Sequence, residues 1–390
     1  MPTSLNKSKM IFTRYLYLKD EVLLSIVISL LRKKGSALYW VFELYHSGFE
    51  EEVLQYLWKI YFDFYYVLNP GFQDYFIKKH NEWVNSTLPE EKKIIIWLIV
   101  SNLMIRPHNF DVFMLRQHIN KKKEADPDPD PEDHGSFIKT LEKQNYLEIA
   151  DFILNQKYET IKMLKDAILY FSKKGIEMDE KKIIKKWTKN LKTIEIDESI
   201  QLLAFIMNHF CKILKINMGK KIFMSVDKND IELYETIYTN KATNLRAYTI
   251  LPMAYIHKID EDNCLGLFHL ERNKFIAEDP DSIKKMYWYN WEYYASFSPI
   301  WFHRIEKYKG KYDHLEKKIE FPDDEEIDWN DEFYSQYGYE PDEQLRETQD
   351  FSIQTIECHK TWIDFFKENE ERSIYKPEES FLKEMKCIIY

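Results

Sequence analysis

Cysteine, glycine, proline and arginine are all scarce in this chain of 390 residues. The four cysteines, Cys211, Cys264, Cys358 and Cys387, include no CxxC pair and are too few for a disulfide scaffold. They read as free thiols of a reducing compartment. With nine glycines and 13 prolines, the chain cannot be a collagen or an elastic linker, and a sandwich of many tight turns is disfavoured. Only nine of the 55 basic residues are arginine. Arginine is the better fork for phosphates and base edges, so a lysine-rich chain of net charge −10 is poor material for a sequence-reading DNA protein. There is no glycine-rich phosphate loop, no HExxH helix and no Cys/His set at zinc spacing. The most apolar runs, 22–31 and 94–105, fall short of the ~20 residues a membrane span needs and read as buried helices. Residues 1–10 are polar and basic, without a clean apolar signal region behind them, so a soluble intracellular protein is expected.

What is present is apolar and aromatic material: 45% and 16% of residues, enough to bury several cores in two or three domains. Between Lys311 and Gln344 there are 13 acids against three lysines, and the rest of the chain is neutral. From 19 to 120 the pattern is helix after helix. Apolar spacing predicts a helix over 21–33 stopped at Lys33-Lys34-Gly35, and a second over 37–45 closed by Ser47-Gly48. A third starts at Glu50-Glu51-Glu52, where acids suit the helix dipole, and runs to about Leu68. Asn69-Pro70 reads as an N-cap with proline at the first helical position, and Thr87-Leu88-Pro89-Glu90 as a capping box. The helices group in pairs of 31 to 36 residues, as in a solenoid or HEAT-like stack, with an irregular bundle as the alternative. Around Lys220 the period changes, and 221–226, 246–259, 264–270 and 274–277 read as strands. Helix returns from 281 to 308 with a break at Pro299, and short helices are expected near Ile363 and Phe381.

The expected fold class is therefore mainly α, with a small α+β C-terminal region. The expected parts are a helical-repeat domain (1–120), an acidic proline-rich linker (121–135), a second helical part (136–218), and a mixed α/β region with an acidic, aromatic segment (219–390). The linker carries Lys121-Lys122-Lys123 and then alternating Asp-Pro, which holds an extended rod.

Signals for chemistry are weak. Asp260 and Asp262 follow an apolar strand and could share a metal ion, but Leu265 stands where a calcium loop needs glycine. A solvated turn is the simpler reading. Pro280-Asp281 with Glu316-x-Lys318 is too widely spaced for a nuclease core. No catalytic residue and no cofactor is assigned. The aromatic segment is richer: Trp288, Trp291, Tyr294 and Trp301 crowd a short helical stretch, and Trp329 sits among carboxylates. Such residues pack a core or anchor a protein partner. Base stacking would need a basic groove, and an acidic stretch follows instead. Tyr158 with Met163-Leu164 loosely matches the tyrosine-plus-apolar helix by which translation scaffolds grip a partner.

Several segments resemble proteins of giant DNA viruses of the mimivirus group. They are Ala37-Leu38-Tyr39-Trp40-Val41-Phe42-Glu43-Leu44-Tyr45-His46-Ser47-Gly48-Phe49-Glu50, Leu57-Trp58-Lys59-Ile60-Tyr61-Phe62-Asp63-Phe64-Tyr65 with Asn69-Pro70, Trp291-Glu292-Tyr293-Tyr294-Ala295-Ser296-Phe297-Ser298-Pro299-Ile300-Trp301 and Tyr337-Gly338-Tyr339-Glu340-Pro341-Asp342-Glu343-Gln344. The lysine-, isoleucine- and asparagine-heavy composition is what an AT-rich genome would encode. The resemblance carries no transferable activity. It implies a setting in the host cytoplasm, in a viral factory, or in the virion.

The leading expectation is a non-enzymatic scaffold or adaptor of a viral intracellular assembly. Its partners would be proteins of a viral or host complex, engaged through helical and aromatic/acidic surfaces including Tyr158, Trp288, Trp291, Tyr294, Trp301 and Trp329. Nucleic acid and a membrane span are not expected. Two alternatives stand beside it: a metal-dependent enzyme on nucleic acid or nucleotide-sugar using Asp260 and Asp262, and a nucleic-acid-associated subunit of a viral transcription or translation complex.

Overall fold

The computed structural model describes residues 11–14, 17, 19–125, 136–155, 159–226, 289–337 and 362–384. In chain order its helices are α1 (Lys19–Leu31), α2 (Ser36–Tyr45), α3 (Glu50–Ile60), α4 (Phe72–Asn85), α5 (Pro89–Met104) and α6 (Asp111–Ala125). Next come α7 (Phe137–Lys143), α8 (Tyr146–Asn155), α9 (Thr160–Lys173), α10 (Glu180–Leu191) and α11 (Glu198–Ile213). The C-terminal part holds α12 (Trp291–Ala295), α13 (Pro299–Lys307), β1 (Lys311–Asp313), β2 (Lys318–Glu320), α14 (Trp329–Tyr337), α15 (Trp362–Glu368) and α16 (Glu379–Glu384). The protein is thus mainly α with a small α+β region toward the C-terminus, as the apolar periodicity predicts. The described residues form two compact units, one within 1–53 and 227–362, the other within 54–226 and 363–384.

In the first unit α1 packs on α2. Their turn closes as a Schellman motif: Lys34 N donates to Ser29 O at 2.9 Å and Lys33 N to Leu30 O at 3.0 Å. The left-handed residue is Lys33 (φ 57°), whereas Gly35, expected to stop the helix, is right-handed. Gly48 does adopt positive φ (92°), and a Cβ there would crowd the Pro299 ring. Arg14 enters this unit with its Nε on the fully buried Glu43 carboxylate at 2.9 Å. Pro299 opens α13 rather than kinking one long helix, because proline lacks only an N–H that the first turn leaves unpaired anyway. β1 and β2 pair antiparallel, with Tyr312 opposite Ile319. The acidic stretch therefore contains a hairpin, whose turn is held by Asp313 accepting Leu315 N and Glu316 N.

The second unit is built on α11. Eleven consecutive residues, Gln201 to Cys211, are buried, and α6, α8, α9 and the turn after α3 pack on it. A helix buried all round belongs at the centre of its unit. After α3 the backbone widens into a π-helical turn, Tyr61–Tyr65, with all five side chains buried and Tyr66 N donating to Tyr61 O at 2.7 Å. The two expected caps are placed differently. Asn69 does not cap α4: its Nδ2 donates to Tyr65 O at 2.8 Å and Pro107 O at 2.7 Å, tying the end of the π-helical turn to the loop after α5. At α5 the cap position is Leu88, and Ser86 Oγ receives its N–H at 3.2 Å. The run 221–226, expected as a strand, forms no strand and has no strand partner among the described residues; Ile222 N turns back onto Lys220 O at 2.9 Å. It lies along helices, as described below. Among the described residues, no helix is long and apolar enough to cross a membrane.

Candidate functional site

The aromatic segment forms the interior of the first unit. Trp291 and Trp301 are each 2% exposed and meet edge to face, with centroids 5.2 Å apart. Trp291 stacks on Phe333, and Tyr294 joins the same cluster. Trp301 Nε1 donates to Thr13 O at 2.9 Å, so the polar atom of this buried indole is satisfied. The Arg304 guanidinium lies over Trp301 (4.5 Å) and Tyr337 (4.7 Å). Trp329 sits at the rim, half-buried, under the Lys309 ammonium at 4.3 Å and with its Nε1 donating to Asp324 Oδ2 at 3.4 Å. Three of the aromatics singled out in the sequence are thus brought together, and Trp329 lies beside them. Trp288, Tyr158, Asp260 and Asp262 lie outside the described residues. Beside this core, Tyr334 OH donates to Glu292 Oε1 at 2.5 Å, and desolvation pushes the Glu292 carboxyl up to about 7.

In the second unit three buried polar groups hold chain segments. Asp63, on the π-helical turn, accepts both Arg116 Nε (3.1 Å) and Nη2 (2.7 Å), a bidentate pair. Asp111, fully buried, accepts Tyr375 N (3.0 Å), Asn109 Nδ2 (2.8 Å) and the Cys211 thiol (3.9 Å). Burial pushes the Asp111 carboxyl up to about 7 and raises the Cys211 thiol too, so Cys211 is not poised as a nucleophile. Around Asp111 the C-terminal segment is fastened further. Phe110 N donates to Ser373 Oγ at 3.1 Å, His118 Nδ1 meets Tyr375 OH at 2.8 Å, and the His118 ring stacks on Phe381 at 4.1 Å. Among the described residues no three His, Cys, Asp or Glu side chains gather as a metal site.

The third group is the one sequence reasoning missed. Asn102, in the last turn of α5, and Arg106, just beyond its end, lie side by side, with Arg106 Nη1 on the main-chain O of Asn102. Asn102 Oδ1 accepts Met224 N at 2.9 Å, and its Nδ2 donates to Met224 O at 3.2 Å. Arg106 Nη2 donates to Ile222 O at 2.9 Å, and its Nη1 to Asn102 O. The guanidinium lies 3.9 Å from the Phe72 ring centroid and 5.2 Å from that of Phe223. Phe223 also packs on Tyr75 at 4.8 Å. The segment enters where Gly219 N donates to Leu68 O at 2.9 Å; a Cβ at Gly219 would overlap Asn69 Oδ1. Desolvation pulls Arg106 down to about 10, still a cation at neutral pH. The arrangement reads a main chain outside the helices: one asparagine pairs with both polar groups of a residue, and an arginine takes a carbonyl two residues before it. The one sequence signal was a polar pair, Asn102 and Arg106, within and just after the apolar run of α5. No protein-family model, no curated protein and no solved structure matches this chain.

Proposed function

We propose that this protein is a non-enzymatic scaffold whose helical second unit holds protein segments by their main chain. The observation that carries this reading is the use of its buried polar side chains. Asn102 and Arg106 on one side, and Asp111 with Asn109 on another, are each spent on backbone groups of a remote segment outside the α-helices. A helical surface that captures segments of its own chain by their main chain has the chemistry to capture those of others. The same commitment argues against these groups as acid–base catalysts, since each is sealed under the segment it holds. The likeness of four segments to giant-virus proteins supports a place in a viral assembly within the host cell.

Cross-linking mass spectrometry of the tagged chain from expressing cells tests this reading. It predicts stoichiometric protein partners cross-linked to lysines near α4 and α5, such as Lys78 and Lys93. A chain that runs alone, and that turns over a substrate with loss of turnover on a single polar substitution, would contradict it.

A further inference from the structure

The 219–226 segment is held mainly by its main chain. Its apolar side chains stay largely in water: Ile222 is 55%, Phe223 49% and Met224 42% exposed. Releasing it therefore uncovers modest apolar surface. Beneath it lie two deeply buried groups, Asn102 and Arg106. Arg106 is bonded only to neutral acceptors, Ile222 O and the main-chain O and Oδ1 of Asn102, and no carboxylate pairs with it among the described residues. A carboxylate, unlike a carbonyl, brings an opposite charge and matches the guanidinium in a bidentate fork. The segment in place is thus a second-best occupant of a site with an unused charge and an aromatic wall of Phe72 and Tyr75.

We propose that this groove docks an extended acidic peptide of a partner protein, one carrying a carboxylate beside an aromatic residue, and that residues 219–226 fill the groove until that partner arrives. The peptide's carboxylate takes Arg106 in place of Ile222 O. Its aromatic ring takes the Phe72–Tyr75 wall in place of Phe223. Its main chain takes Asn102 in place of Met224. Lys220 and Lys221 leave with the displaced segment. The proposal rests on the scaffold reading above and names the class of segment held.

Fluorescence anisotropy on the full chain tests it with three short labelled peptides: one with aspartate before phenylalanine, one with asparagine in place of that aspartate, and one copying residues 220–226. The aspartate peptide is expected to bind about fivefold or more tighter than the asparagine peptide, with an affinity that falls as salt rises. Arg106→Lys keeps the charge and loses the fork, and is expected to erase most of that preference. Phe223→Ala loosens the resident segment and is expected to tighten binding. Asn102→Ala is expected to weaken all three peptides by about tenfold. If that variant fails to fold by circular dichroism, the aspartate–asparagine comparison on the unaltered chain still decides. Equal binding of the aspartate and asparagine peptides would overturn this proposal and leave segment capture standing. Binding of none of the three would overturn both.

Discussion

The Asp111 carboxylate accepts the main-chain N–H of Tyr375, 264 residues further along the chain, at 3.0 Å and out of reach of water. A buried carboxylate is costly to ionise, and this one is pushed from 3.8 up to about 7. Between those values the folded protein holds a proton that the unfolded chain has released. The contribution is fully present below about pH 4 and is lost as pH rises through about 7. Urea unfolding at pH 5 and pH 8 should show Asp111→Asn gaining on the parent at the higher pH. An unchanged difference between the two pH values would remove the argument.

His209 acts in the opposite sense. Its ring lies between Phe205 (4.3 Å) and Phe171 (5.1 Å), with Nδ1 beside Phe205 O at 2.8 Å, and burial pulls it down to about 4. Its contribution is present above the unfolded value of 6.5 and is lost as pH falls toward 4. His209→Gln should flatten the stability profile between those values. Nuclear magnetic resonance titration of the ring checks the cause directly, and a ring that protonates near 6.5 in the folded protein would contradict it.

The Asp63–Arg116 pair sits at 1% and 13% side-chain exposure. Removing only the acid leaves a poorly hydrated guanidinium near Lys59, itself lowered by burial. Asp63→Ala should cost about 3–5 kcal/mol. Adding Arg116→Met to Asp63→Ala should recover a large part, which thermal melts of both variants would register.

Trp301 and Trp329 should separate in an alanine comparison. Trp301→Ala empties a buried site and orphans Thr13 O, for about 3–5 kcal/mol. Trp329→Ala at the rim should cost about 1 kcal/mol. Equal costs would mean that the two indoles are not differently placed.

Gly219→Ala pushes a methyl group against Asn69 Oδ1. Overpacking of this kind costs about 1–3 kcal/mol. Because the strain falls where 219–226 meets the loop after α3, limited proteolysis should cut that segment faster in the variant while α11 stays intact.

The helices were legible because apolar spacing reports burial directly: the expected 21–33 and 37–45 correspond to α1 and α2. Their ends were less so. A Schellman turn needs one left-handed residue, and Lys33 accepts that conformation two residues before the glycine that signals it. The capping box at Thr87 was set aside because Ser86 reached the N–H of Leu88 first. The segment 221–226 read as a strand because β-branched and aromatic residues in a row favour extended backbone. The structure forms no strand there, and Ile222 N turns back onto Lys220 O at 2.9 Å. What pairs with such a segment depends on distant groups, and here Asn102 and Arg106 lie more than 100 positions away. No local pattern announces such a pairing. The same holds for Asp111, whose partner at Tyr375 depends on how the chain returns.

That polar side chains at the end of α5 hold the main chain of 222–224 is tested most directly by hydrogen exchange at the Met224 amide. That N–H should be protected in the parent and should lose its protection in Asn102→Ala, while the amides within α5 exchange as before. A Met224 amide that already exchanges at the unprotected rate in the parent would contradict the account.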